Sequence, residues 1–147
     1  MKLTTKGHYS VKALLDISLQ SKDSPVSVKS IAYRQDLPAP YLEKLLIKMR
    51  QAGILNSFRG VQGGYQLADD PRHISLGQIL EAVGEIIEPL PNYKADIAQA
   101  EDWVTICLWR QLHQKFKEAL YSITLADLYY DARSWKASQG EKTSFII

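Results

Sequence analysis

The sequence predicts a mainly α-helical protein with one small β-hairpin and a long helix towards its C-terminus. Within residues 1–84, apolar side chains recur every three to four positions in several short segments, which is the spacing of one helix face. Glycines at 60, 63 and 64 separate two short strand-like stretches, as in a hairpin. A longer segment, 103–122, has an apolar stripe of its own. We therefore expect a helical unit with a hairpin, followed by a helix that needs a further partner surface.

The first two predicted helices cover residues 6–21 and Val28 to Gln35. Tyr9, Ala13 and Ile17 share one face of the first helix, at the spacing of a buried stripe. Ser27 precedes the second helix and is a suitable N-cap, because its hydroxyl can accept a hydrogen bond from the free N–H groups of a first turn.

A proline-containing turn leads into a third predicted helix. Pro38 and Pro40 break any continuing helix, and Pro40 fits the first helical position because its missing N–H costs nothing there. Gly53 ends the third helix as a left-handed residue. The inward positions of this helix are Leu42, Leu45, Leu46 and Met49, and the outward positions are Lys44, Lys48 and Arg50. Two helices joined by a tight turn, the second one basic, form the helix-turn-helix pattern.

The hairpin and one more helix complete the first half of the chain. Segments 54–59 and 65–67 flank the glycine-rich tip and predict the wing of a winged helix-turn-helix. Ser75 caps a helix that runs through Val83 and is stopped by Gly84. From Glu85 to Asp102, prolines and acidic residues predict a solvent-exposed loop.

The second half of the chain is predicted to hold two copies together. A long helix from about Trp103 to Ser122 carries a heptad-like stripe. Most oligomers are two-fold dimers with self-complementary interfaces, so a second copy of this helix is the expected partner, in addition to packing within its own chain. We expect the dimer interface at Trp109, Leu112, Phe116 and Ile123. On the same helix, Cys107 is predicted to be a small buried hydrophobic residue rather than a nucleophile.

A short final helix is predicted to begin near Thr124 and to end near Trp135, before a polar tail. The predicted organisation is a DNA-binding unit at 1–84, a loop at 85–102, the dimerisation and terminal helices at 103–135, and a tail at 136–147.

Charge divides the chain into two halves. Residues 1–68 carry ten Lys and Arg against four Asp and Glu, a net charge of +6; residues 69–147 carry eight against twelve, a net charge of −4. The basic half coincides with the helix-turn-helix and the wing, which favours binding to DNA phosphates over a scaffold that binds only protein. The three histidines lie on separate predicted elements, and no group of residues indicates catalysis, so we expect no enzyme.

Several sequence blocks resemble the Rrf2 family of transcriptional regulators. They are Leu3-Thr4-Thr5-Lys6-Gly7-His8-Tyr9, Tyr41-Leu42-Glu43-Lys44-Leu45, Ala52-Gly53-Ile54-Leu55, Arg59-Gly60 with Gly63-Gly64-Tyr65, and Ile123-Thr124-Leu125-Ala126-Asp127-Leu128. The resemblance covers about residues 1–132 and implies a homodimer on a partly palindromic operator, with recognition helices in major grooves and wings in minor grooves. It also implies that Tyr41, Glu43 and Lys44 are recognition-helix contacts. Pro38 and Pro40 depart from the pattern, because relatives often have phosphate-binding serines there.

The sensing members of this family bind an iron–sulfur cluster through three cysteines and one further ligand. The matching positions here include Trp103 and Ile106, and the loop 85–102 has no cysteine. One cysteine per chain cannot hold such a cluster. The chain therefore resembles the cluster-free branch, which implies no cofactor and a repressor of cysteine or sulfur metabolism. A redox or metal sensor that uses Cys107, and a protein-binding scaffold, remain the alternatives.

We expect DNA contacts from ten residues: Lys2, Lys6, Ser27, Tyr41, Glu43, Lys44, Lys48, Arg59, Gly60 and Gln62. The tail residues Phe145, Ile146 and Ile147 resemble the end of the family's cysteine-metabolism repressor, which implies binding to cysteine synthase; packing on the chain itself is the alternative. No apolar run is long enough to span a bilayer, and the N-terminus lacks a secretory signal, so we expect a cytoplasmic protein.

Overall fold

A computed structural model describes residues 2–20, 22–87 and 97–145. The described residues form six helices and a two-stranded antiparallel sheet, in agreement with the predicted fold class. The elements are α1 (Thr5–Leu19), α2 (Val28–Gln35), α3 (Ala39–Gln51), β1 (Leu55–Phe58), β2 (Gly64–Leu67), a short 3-10 turn (Pro71–His73), α4 (Leu76–Ala82), α5 (Ala100–Ser122) and α6 (Leu125–Phe145).

The helix-turn-helix begins and ends where its local signals predict. The Ser27 hydroxyl accepts a hydrogen bond of 3.2 Å from the Ser30 backbone N–H and so caps α2. Asp36 adopts a left-handed conformation after α2, and Pro40 lies in the first turn of α3. Gly53 follows α3 with a φ of 82°, as expected for the left-handed residue that ends this helix.

The wing is anchored to the helices by its second strand. β1 pairs with β2 from Leu55–Leu67 to Phe58–Gly64. Val26 and Tyr65 exchange two backbone hydrogen bonds of 2.9 Å, which attach β2 to the segment before α2. A Cβ atom on Gly64 would lie 2.3 Å from the Val26 carbonyl oxygen, so only glycine allows this approach.

One main hydrophobic core joins the helices to the wing. Ala13, Leu14, Ile31, Leu42 and Leu46 belong to it, and so does Leu125 from the beginning of α6. A smaller cluster of Leu80, Ile87 and Leu120, with Phe116 packed against it, fixes α5 on α4. The long helix is therefore attached to the winged unit by its C-terminal half.

A buried carboxylate links α1 to α2. Asp16 accepts two hydrogen bonds from the Arg34 guanidinium, at 2.7 and 2.9 Å, and one of 2.8 Å from the Gln35 side-chain amide. The hydrogen bond that the Arg34 guanidinium donates to Asp16 raises the pKa of Arg34. These three charge-assisted hydrogen bonds fix the angle at which α2 packs on α1.

Glu85 corrects the prediction that an exposed loop begins at this residue. Its side chain is buried and accepts hydrogen bonds from the Thr4 backbone N–H (3.1 Å), the Thr4 hydroxyl and the Gly7 backbone N–H (3.0 Å). Thr4 makes no side-chain cap of its own, so this carboxylate caps α1 from 78 or more positions away. Burial alone would raise the pKa of Glu85, but the hydrogen bonds outweigh burial and the pKa is lowered.

Two further predictions about the second half were wrong. Helix α6 does not end near Trp135 but continues to Phe145, so residues 136–145 are not an irregular tail. Gly140 lies inside this helix and does not have a positive φ. A single glycine lowers helix stability by only about 1 kcal/mol, so it does not have to end the helix. Cys107 is exposed in this chain rather than buried, because it lies on the part of α5 beyond the contact with α4.

No helix in the described ranges is long and apolar enough to cross a membrane.

Candidate DNA-binding surface

Helix α3 presents the predicted recognition face. Leu42, Leu45, Leu46 and Met49 are buried, as predicted, and they hold the helix against the core. Tyr41, Lys44 and Lys48 follow the spacing i, i+3, i+7 and therefore share one outer face. Both lysines and Glu43 are exposed, and neither lysine forms an ion pair with any residue that the structure describes. The two ammonium groups are thus available for phosphates.

The wing presents a second exposed group of polar residues. Arg59 directly follows β1, and Gly60 with Gln62 forms the tip that leads to Gly63. Arg59, Gly60 and Gln62 are all exposed, and Arg59 has no ion-pair partner in the described part of the chain. Val61 is the most exposed apolar residue at the tip, and it was not among the predicted contacts. Its position between Gly60 and Gln62, two predicted contacts, could have indicated that Val61 belongs to the same exposed tip.

The remaining predicted contacts surround these two elements. Lys2 is exposed before α1, and Lys6 is half-buried in its first turn. Ser27 is exposed, although its hydroxyl is already used by α2 and Ser30. A polar groove between the wing and α2 is lined by Ser24, Ser27, Ser30 and Gln62, among others. The predicted contacts therefore belong to α1, the beginning of α2, α3 and the wing.

An aromatic contact between α1 and α3 was not predicted as part of this surface. The rings of Tyr9 and Tyr41 meet edge to face, with centroids 6.0 Å apart and an interplanar angle of 78°. The ring centroids of His8 and Tyr9 are also 6.0 Å apart. Tyr9 and Tyr41 are both half-buried and pack against the main core.

The N-terminal half of α5 carries an apolar face with no covering element among the described residues. Val104, Leu108 and Leu112 follow the spacing i, i+4, i+8 and are exposed by 60%, 43% and 47%. Trp109 lies beside them with 37% exposure. Of the predicted interface residues, Phe116 packs on its own chain instead, and Ile123 is half-buried where α5 ends. The exposed face thus begins earlier in the helix than the first predicted interface residue, Trp109.

The residues present do not fit an iron–sulfur cluster held by cysteine. The chain has a single cysteine, Cys107, and it is exposed on α5. Within residues 2–20, 22–87 and 97–145, no group of three His, Cys, Asp or Glu side chains is arranged to hold a metal ion. Thiolate ligation of such a cluster commonly uses three or four cysteines.

The helix-turn-helix, its wing and the unpaired basic side chains on both define a winged helix-turn-helix transcriptional regulator. The pattern of the Rrf2 family, described as an iron-dependent transcriptional regulator, matches residues 3–131. The chain belongs to the Rrf2 family.

Relatives and solved structures agree with this assignment. A Synechocystis protein named as an HTH-type transcriptional regulator is 68% identical over the whole of both chains. The regulator IscR of Vibrio cholerae is 40% identical over 132 residues, which are 89% of this chain and 76% of IscR. The structure of CymR, the global cysteine regulator of B. subtilis, has a TM-score of 0.78 at 32% identity and covers 88% of this chain and 97% of its own. The structure of T. potens IscR has a TM-score of 0.70 at 42% identity, and the match covers 90% of this chain and 88% of the IscR chain.

These relatives are all named as regulators, in agreement with the prediction that the chain is a DNA-binding regulator and not an enzyme.

Proposed function

We propose that this regulator is a cytoplasmic homodimer that represses transcription from a partly palindromic operator without an iron–sulfur cluster. The observation that carries the proposal is the joint exposure of α3 and the wing with unpaired basic side chains on each. In this proposal, α3 enters the major groove and the wing follows the adjacent minor groove. Two copies, related by a two-fold axis, contact two half-sites.

Arg59 is proposed to read the minor groove, where a guanidinium group is favoured by the negative potential. Arg59→Ala should weaken binding to a selected operator by about 1–3 kcal/mol in a fluorescence titration at fixed salt. Arg72→Ala is the matched control, because Arg72 is an exposed arginine paired with Asp70 outside this surface and should leave the affinity unchanged. Unchanged affinity in Arg59→Ala would remove the wing from the mechanism.

Lys44 and Lys48 are proposed to contact phosphates and so to act independently of sequence. Lys44→Ala should weaken binding to all duplexes to a similar degree. It should also reduce the slope of log affinity against log salt by about 1, because one fewer counterion is released. A loss confined to one DNA sequence would indicate base recognition by Lys44 instead.

The apolar face of α5 is proposed to form the dimer interface with the same face of a second copy. Leu108→Glu and Leu112→Glu should give monomers in analytical ultracentrifugation, since each places a charge in the interface. Lys117→Glu is the control, because Lys117 is exposed nine positions from Leu108 and thus on the opposite side of the helix. A stable dimer in both leucine variants would place the interface elsewhere.

The absence of an iron–sulfur cluster is proposed from the single cysteine. Protein purified without oxygen should be colourless and free of stoichiometric iron and sulfide. A visible absorbance that is lost in Cys107→Ala would favour the sensor alternative.

Control of cysteine or sulfur metabolism is the pathway that we propose. Its support is the TM-score of 0.78 to CymR, which is named as a global cysteine regulator, together with the lack of cluster ligands. Mapping bound sites across the genome of the source organism, with transcript levels in a deletion strain, tests both the pathway and the repressor role. Binding only near unrelated genes would exclude this pathway.

Binding of Phe145, Ile146 and Ile147 to cysteine synthase stays a prediction. Phe145 ends α6, while Ile146 and Ile147 lie outside the described residues. A branched apolar side chain is a group that an enzyme pocket can bind. Deleting Ile147 should abolish calorimetric binding to the synthase, and equal binding with and without Ile147 would exclude the idea.

A further inference from the structure

Two tyrosines, Tyr9 on α1 and Tyr41 in the first turn of α3, meet where these helices pack together. Neither Tyr9 nor Tyr41 makes a side-chain hydrogen bond within the described residues, and no buried polar side-chain atom there lacks a partner. Both hydroxyls are therefore open to solvent, although both rings are half-buried against the core. A tyrosine with a packed ring and a free hydroxyl is a rigid hydrogen-bond donor.

The position of Tyr41 places this pair on the DNA-binding face. Tyr41 shares its helix face with Lys44 and Lys48, and Tyr9 reaches it from α1 through the edge-to-face ring contact. The contact holds the two rings at a fixed angle of 78°, so little side-chain entropy is lost when their hydroxyls bind a ligand.

Prolines reduce the number of backbone donors at the beginning of α3. Pro38 and Pro40 have no backbone N–H, so two of the amides that would otherwise face an anion here are missing. Tyr41 lies in the first turn of α3 and its ring contacts that of Tyr9, and the hydroxyl of each tyrosine is a neutral donor. A phosphate oxygen accepts such hydrogen bonds, and contacts of this kind position a protein on DNA without reading its sequence.

We propose that the Tyr9 and Tyr41 hydroxyls donate hydrogen bonds to the DNA backbone at the N-terminal end of α3, so that Tyr9 adds α1 to the elements that position the recognition helix. The proposal rests on the proposed DNA-binding function. It specifies a phosphate oxygen as the ligand and a neutral hydroxyl as the donor.

Tyr9→Phe and Tyr41→Phe test the proposal, because each removes only the hydroxyl and keeps the ring contact. The probe is a mixed-sequence DNA duplex several helical turns long, titrated by fluorescence anisotropy at several salt concentrations. Each variant should bind about tenfold more weakly, as for one hydrogen bond to a charged group. The salt slope should stay as in the unchanged protein, because no cation is lost, whereas Lys44→Ala lowers it.

Tyr130→Phe is the matched control, because Tyr130 makes a similar edge contact with Tyr129 on α6. Thermal unfolding of all three variants should match that of the unchanged protein. Full affinity in Tyr9→Phe, while the unchanged protein binds the duplex, would overturn this inference alone. Failure of the unchanged protein to bind DNA in a salt-dependent manner would instead overturn the proposed function.

Discussion

Removing the Glu85 carboxylate should destabilise the fold, because it removes the acceptor that caps α1. In Glu85→Ala, the N–H of buried Gly7 loses its acceptor, which costs about 1–3 kcal/mol. Loss of the negative charge at the beginning of α1 adds about 0.3–1 kcal/mol. Thr4 is exposed and can bond to water instead. The free energy of unfolding should therefore fall by about 1–4 kcal/mol in urea titrations followed by circular dichroism.

Comparison with Glu85→Gln separates the charge from the hydrogen bonds. Because the pKa of Glu85 is lowered in the fold, ionised Glu85 contributes stability above its ordinary pKa of 4.5. This contribution is lost as the pH falls through the lowered, folded-state value. The stability difference between the unchanged protein and Glu85→Gln should thus be constant near neutral pH and shrink below pH 4.5.

Glu101→Ala is the control for this experiment, because Glu101 is an exposed glutamate in the first turn of α5. It should change stability by no more than about 0.5 kcal/mol. If Glu85→Ala were equally mild, the carboxylate would not be what holds the beginning of α1.

Three further predictions concern α4 and its contact with α5. Gly77→Ala should lower the free energy of unfolding by about 1–3 kcal/mol in urea, because the Cβ of the new alanine would lie 2.7 Å from the Tyr121 ring. Unchanged stability would mean that the Tyr121 ring moves aside without cost. Ser75→Ala should cost about 1 kcal/mol in the same assay, since Ser75 and Gln78 form a capping box, and no loss would show that the cap is dispensable. The hydrogen bond to Glu81 raises the pKa of Tyr121 to about 12, so the ultraviolet titration of the phenols should contain a late step that moves towards 10.0 in Glu81→Gln; an identical titration curve in Glu81→Gln would refute the assignment.

The helix-turn-helix could be predicted from the sequence because its boundaries depend on local chemistry. Ser27 caps α2 through a residue three positions away, and Gly53 ends α3 through its own backbone conformation. The wing is similarly local, since its two strands are neighbours in the chain. The contacts of α3 and the wing with DNA remain predictions.

The features that escaped prediction depend on distant contacts or on competing weak preferences. Glu85 was assigned to an exposed loop from its composition, whereas its actual partners lie 78 and 81 positions earlier. The Tyr9–Tyr41 contact depends on how α1 crosses α3, which no local pattern encodes. For α6, the preference of Gly140 against helix was weaker than that of its neighbours for helix.

The inclusion of Leu125 in the main core has a consequence for the order of folding during synthesis. This side chain is fully buried in the same core cluster as residues of α1, α2, α3 and α4. A nascent chain that has exposed only its first 84 residues can form its helices and wing, but it retains a gap where a leucine belongs. The winged half should therefore become fully stable only after α5 and the beginning of α6 have left the ribosome. The long helix α5 is therefore already synthesised when α3 becomes stably packed. Partly synthesised chains should compete poorly for DNA.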